Sequence, residues 1–81
     1  MIVEVKMFAV ARQLAGSETC RVEVGGEHTV ADLRDALVEA VPALASLASQ
    51  IRFAVNAEYA GDSSVIPDGA EVALIPPVSG G

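Results

Sequence analysis

"TVADLRDALVEAVP", residues 29–42, decides the fold. Val30, Leu33, Leu37 and Val41, with Ala40, recur at helical spacing and form one apolar stripe. Thr29 stands where an N-cap belongs. Asp32, three residues on, completes a capping box with Asp in place of Glu. Asp32 and Asp35 also suit the positive end of the helix dipole. Arg34, Asp35 and Glu39 fall mainly on the other side. Pro42 ends this helix or opens a second short one over "PALASLASQ". An amphipathic helix needs an apolar surface to lie on, and the flanking sequence supplies strands.

Toward the N-terminus, "IVEVKMF", residues 2–8, alternates as a half-buried strand. Val3, Val5 and Met7 point inward; Ile2, Glu4, Lys6 and Phe8 point outward. "AVARQLAG" follows as two helical turns, with Gly16 placed to end them in a left-handed conformation. "ETCRVEV", residues 18–24, alternates again, with Cys20, Val22 and Val24 inward, and Gly25-Gly26 closes it. Toward the C-terminus, "RFAVN", residues 52–56, reads as a third strand. "AEYAGDSSVIPDGA" is turn-rich, and Pro67-Asp68-Gly69 is a strong turn signal. "EVALI", residues 71–75, is the last strand, with Val72 and Leu74 inward and Glu71, Ala73 and Ile75 outward. A small sheet with one main packed helix is an α+β roll. One domain is expected over residues 1–75, followed by a flexible tail over 76–81.

Composition narrows the function. The 81 residues are 52% hydrophobic, a globular composition, though a chain this short builds a thin core. Cys20 is the only cysteine, so no disulfide within the chain supports the fold, and a cytoplasmic setting is expected. "MIVEVKMF" lacks a basic leader, and no apolar stretch spans a membrane. Eleven acidic residues face five bases, and those bases are scattered. Without a basic stripe, nucleic acid is not an expected partner; an acidic surface fits high solubility as well as a basic partner protein.

The body carries no recognisable catalytic set. One histidine and one cysteine do not make a metal site. His28 reads as a turn histidine, and Cys20 as a structural thiol on an inward face. "GGEHT" lacks the glycine spacing and lysine of a phosphate loop. Asp32 and Asp35 are more simply a helix start than an acid/base pair.

The tail, "PPVSGG", is different. Six extended residues reach about 20 Å. Pro76 and Pro77 hold the first part near polyproline geometry and lower the entropy lost on capture. Gly80 and Gly81 can thread a narrow tunnel and approach catalytic atoms. The terminal carboxylate is a poor electrophile until activated, for instance as an acyl-adenylate, from which a sulfur donor displaces AMP to leave a thiocarboxylate. Ile2, Phe8 and Ile75, with Tyr59 in a following turn, make an apolar patch at the tail's root if the first and last strands are neighbours and no second layer covers them.

Three stretches, "VKMFAVARQLAG", "FAVNAEYA" and "IPDGAEVALIPPVSGG", resemble the small subunit of molybdopterin synthase, the MoaD-type sulfur carriers of the ubiquitin-like β-grasp class. The resemblance implies a β-grasp roll, a small mixed sheet packed on one main helix, with an extended C-terminal tail. It implies a non-catalytic subunit and sulfur-donating cosubstrate. A MoeB-type adenylyltransferase uses Mg-ATP to adenylate Gly81, and a sulfurtransferase step makes the thiocarboxylate. The carrier then docks on the MoaE-type large subunit, two carriers on a dimer, and gives its sulfur to precursor Z to build the dithiolene of molybdenum cofactor. The chain itself binds no cofactor and no metal; its cargo is the covalent sulfur at Gly81. By the same resemblance Pro76, Pro77, Val78, Ser79 and Gly80 occupy the partner's tunnel, and Phe8, Arg12, Tyr59 and Ile75 form the interface. Tyr59 and Ile75 stand where members often have Leu and Phe.

Three rivals stay open. A carrier of the same fold serves thiamine, cysteine or tRNA thiolation, although thiamine carriers are usually shorter. A ubiquitin-like interaction module uses the patch and leaves the tail inert. A free-standing enzyme uses Cys20.

Overall fold

The computed structural model describes residues 1–77. Strand β1 (Ile2–Met7) leads through helix α1 (Ala9–Ala15) into β2 (Thr19–Glu23). Helix α2 (Val30–Ala40) and a 3-10 helix (Pro42–Gln50) follow, then β3 (Arg52–Val55), β4 (Glu58–Ala60) and β5 (Val72–Ile75). The sheet order is β2-β1-β5-β3-β4. β1 runs parallel to β5, and the other pairings are antiparallel, so the sheet is mixed.

Alternation sorts the two faces. The inner rows are Cys20–Val5–Val72–Val55 and Met7–Leu74–Phe53–Ala60. Leu33 and Leu37 of α2 and Leu44 of the 3-10 helix complete the buried cluster. Pro42 both stops α2 and occupies the first turn of the 3-10 helix, where its missing N–H costs nothing.

The caps follow the sequence. Gly16 takes φ 72, and its N–H donates to the Arg12 carbonyl. Thr29 caps α2 in a full capping box with Asp32. The Thr29 N–H donates to the Asp32 carboxylate at 3.2 Å, the Glu27 N–H donates at 3.1 Å, and the Asp32 N–H donates to the Thr29 hydroxyl at 3.2 Å. The Thr29 bonds, with a smaller share from Glu27, hold this carboxyl below the usual aspartate range. Its stabilisation is therefore complete above the unfolded pKa of about 3.9 and is lost as pH falls through the lower folded value. Asp32→Asn is expected to flatten the acid limb of the stability curve below about pH 4, read by denaturant midpoints across pH. An unchanged acid limb contradicts this.

Several expectations are corrected. β1 ends at Met7, and Phe8 is the N-cap residue of α1, because Ala9 takes φ 49 and turns the chain at once. β2 spans Thr19–Glu23, shorter than expected at both ends. Ala40 is exposed at the last position of α2, while Ala36 packs on the core. Arg34 does not lie on the solvated side. It follows Val30 by four residues and so flanks the stripe. Its guanidinium reaches the Ile51 carbonyl at 3.2 Å and Asp62 at 2.6 Å, with its carbon 5.5 Å from the Phe53 ring centre.

The stretch after β3 holds a fifth strand, β4, paired with β3 through a hairpin whose central residues are Asn56 (φ 51) and Ala57 (φ 69). Such a turn needs positive φ at both positions and usually carries Gly second. Alanine there hides the hairpin and is strained, since the left-handed region costs an L-residue about 1–2 kcal/mol. Ala57→Gly is expected to raise stability by about 0.5–1 kcal/mol, after the larger unfolded-state entropy of glycine is offset. An unchanged or lower denaturation midpoint contradicts the strain.

Candidate functional site

The candidate site lies on the outer face of the sheet, where β5 ends. Register sets its geometry. Lys6, Ala73, Ala54 and Tyr59 form one outward row across β1, β5, β3 and β4. In the next row Ile75 pairs with Arg52. Phe8, one residue beyond the Met7–Leu74 pair and still extended, continues the outward parity of β1 toward the Ile75 end of β5. The two central alanines are short, so the row is a shallow floor. Tyr59 and Phe8, 69% and 47% exposed, rise at its sides.

β1 and β5 are thus neighbours, as the patch required, but Ile2 does not belong to it. Ile2 pairs with Glu23 at the far end of β1. Six residue steps along the strand separate it from Phe8, about 20 Å. Tyr59 is placed by β4 and not by a turn. With Ile75, Pro76 and Pro77 it lines one groove, together with Gln50 and Arg52. Phe8 and Arg12 line a neighbouring depression. Arg12 pairs there with Glu18 at 3.0 Å, both side chains largely exposed. An exposed pair of this kind contributes about 0–1 kcal/mol, so it leaves Arg12 available to a competing carboxylate. Arg52 is a further site residue: alternation with buried Phe53 turns it outward, and register sets it beside Ile75. Val78, Ser79, Gly80 and Gly81 lie outside the described residues.

The rest of the body has little chemistry to offer. Cys20 is half-buried on the inner face, and burial pushes its thiol up, away from the reactive thiolate. His28 is a half-buried turn residue at φ 60 whose carbonyl accepts the Ile66 N–H. Among the described residues no group of three or more His, Cys, Asp or Glu side chains converges, and no helix is long and apolar enough to cross a membrane. The core holds apolar side chains and, among the described residues, no buried polar one.

A mixed sheet in this order, grasping one main helix and ending its central strand beside an uncovered face, defines a ubiquitin-like β-grasp protein. The chain belongs to the ThiS family, whose sequence profile matches residues 5–81. It is 45% identical over 86 residues to small archaeal modifier protein 1 of Haloferax volcanii, covering 96% of this chain and 99% of that one. It is 43% identical over 84 residues to the molybdopterin synthase sulfur carrier subunit of Chlamydomonas reinhardtii, covering all of both. The crystal structure of the Haloferax protein matches with a TM-score of 0.84 at 42% identity, covering all of both chains.

Proposed function

We propose that the chain is a sulfur carrier of molybdenum cofactor biosynthesis, with Gly81 as the group that carries the sulfur. The full-length likeness to a molybdopterin synthase sulfur carrier subunit supports this most strongly. The fold supports it physically, because β5 is the middle strand of five and gives the tail a rigid root at Ile75.

An adenylyltransferase of the MoeB type uses ATP and Mg to convert the Gly81 carboxylate into an acyl-adenylate. A sulfurtransferase delivers sulfur, AMP leaves, and a thiocarboxylate remains. The outer face docks on a MoaE-type large subunit through Phe8, Tyr59 and Ile75, with Arg12 at the rim, while Pro76 to Gly80 enter its tunnel. There the sulfur passes to precursor Z, and two charged carriers complete the dithiolene. ATP and Mg belong to the activating enzyme in this reading. The catalytic groups belong to the large subunit, and the setting is the cytoplasm.

Reconstitution tests the pathway. Thiocarboxylated chain, mixed with an active large subunit and precursor Z, is expected to yield the dithiolene with loss of sulfur from Gly81. A charged carrier that leaves precursor Z unchanged overturns the assignment. Docking has its own test. Ile75→Asp puts a charge at the centre of the apolar face and is expected to weaken large-subunit binding by at least about 30-fold, the size of a hot-spot loss near 2 kcal/mol. Unchanged affinity by titration calorimetry contradicts the placement of the interface.

The likeness to an archaeal modifier protein favours a second reading, in which the same activated carboxyl is joined to another macromolecule. Sulfur-free conditions favour that outcome, and a sulfur source favours the first.

A further inference from the structure

We infer that the open edge of β2 docks a second copy of this chain, the two β2 strands pairing antiparallel about Val22. The inference is independent of what the tail carries.

Among the described residues β2 pairs with β1 alone and forms one end of the sheet. The phase of its ladder shows which backbone groups are open. The Val24 N–H donates to the Met1 carbonyl at 2.7 Å, and the Met1 amine donates back to the Val24 carbonyl at 3.4 Å. The Met7 N–H donates to the Glu18 carbonyl at 2.8 Å. Hydrogen-bonded pairs alternate along an antiparallel ladder. Cys20 and Val22, in step with Glu18 and Val24, therefore turn their backbone groups toward β1. Arg21 and Glu23 turn theirs away from the sheet. Such an edge is a template for another strand.

The side chains select which strand. Arg21 and Glu23 are exposed, share the outer face and, among the described residues, enter no ion pair. A twofold axis through Val22 sets Arg21 of each copy opposite Glu23 of the other. These are also the residues with open backbone groups, so each pair exchanges both backbone bonds. An axis through Arg21 or Glu23 sets like charges opposite one another, which is destabilising. An axis through Cys20 leaves Glu23 unmatched. On the inner face the Val22 register sets Val22 against Val22 and Cys20 against Val24. A groove of about 440 Å³ between β2 and α2 receives them, with Val22, Ala36 and Ala40 in its lining and exposed Glu39 at its rim. The two alanines are short and leave room for the second strand.

The product is one continuous sheet through both copies, with both α2 helices on the same side. Its two β5 strands run in opposite directions. The site at Phe8, Tyr59 and Ile75 stays uncovered, because β2 lies at the end of the sheet away from β3 and β4.

The test is sedimentation equilibrium of the full chain up to about 1 mM, the Kd range of a weak pairing. Salt at about 0.15 M screens the net charge of −6 on each chain beyond about 8 Å. The mass is expected to rise from one chain toward two, and the Arg21 and Glu23 amide shifts to move with concentration. Arg21→Glu and Glu23→Arg are each expected to weaken association at least about tenfold, since each sets like charges opposite in both pairs. An equimolar mixture of the two variants is expected to associate at least as well as the native chain, because unlike charges meet again. Arg21→Glu also faces Glu4 within its own chain, so a melt of each variant accompanies the series. The native chain's amide shifts stand without any variant. A native chain that stays single at the highest concentration overturns the inference, as does a mixture of folded variants that does not recover. Shifts confined to the Phe8–Ile75 face overturn the assignment to β2. Protection of the Arg21 and Glu23 amides only when a large subunit is added gives the edge to that partner and overturns the second copy.

Discussion

A chain lacking Gly81 is expected to lose at least about 100-fold in adenylate formation while keeping its thermal midpoint. Deleting one residue draws the terminal carbon back by about 3.3 Å. A misplacement of even 1 Å at a reacting centre costs roughly 100-fold, because the near-attack geometry is lost. Glycine brings no side chain to a core, and the buried cluster among the described residues runs from Val3 to Leu74, so the melt is expected to be unmoved. Hydroxamate trapping measures the first quantity and a melt the second. Near-normal trapping with the shortened chain contradicts a role for the Gly81 carboxyl and returns the inert-tail module to favour.

Phe53→Ala is expected to cost about 3–5 kcal/mol, the usual range for emptying a buried aromatic site. The ring is 1% exposed and sits between Leu74 and Ala60 in an inner row. It also packs beneath the Arg34 guanidinium, which ties α2 to Ile51 and Asp62. The Arg34 side chain is half-buried, and its Nε has no hydrogen-bond partner among the described residues, so the ring is part of what offsets the partial desolvation of that charge. A domain of this length has roughly 4–12 kcal/mol in total, and each kcal/mol moves Tm by about 4–8 °C. The alanine variant is therefore expected to be largely unfolded near body temperature. A loss below about 1 kcal/mol contradicts the packing described for this ring.

Most of the architecture is legible in the residues, because period-2 and period-3.6 patterns each place side chains on one face. The Val3–Val5–Met7 alternation, the Thr29–Asp32 box and Gly16 all correspond to what the chain does. Three features were not legible. Ala57 occupies a position that ordinarily announces itself as glycine, so the β4 segment reads as part of a turn-rich stretch. Arg34 looks solvated by residue type, yet its long stem and flat head pack along the edge of the helix stripe. Ile2 shares the outward parity of Phe8, and parity carries no information about distance along a strand. The same limit applies to the site. Phe8, Tyr59 and Ile75 were recognisable as outward and apolar, but only the β1–β5–β3–β4 order brings them to one end of one face. Alternation with Phe53 shows that Arg52 points outward, and its pairing with Ile75 is what brings it to this site.

In the proposed function the chemistry happens at the carboxyl carbon of Gly81. Intact-mass measurement after incubation with the activating enzyme, Mg-ATP and a sulfur source tests it most directly. A mass gain equal to exchanging one oxygen for one sulfur, localised by fragmentation to Gly81, is expected. An unchanged mass in the presence of an enzyme shown to be active, or sulfur found on Cys20, contradicts it.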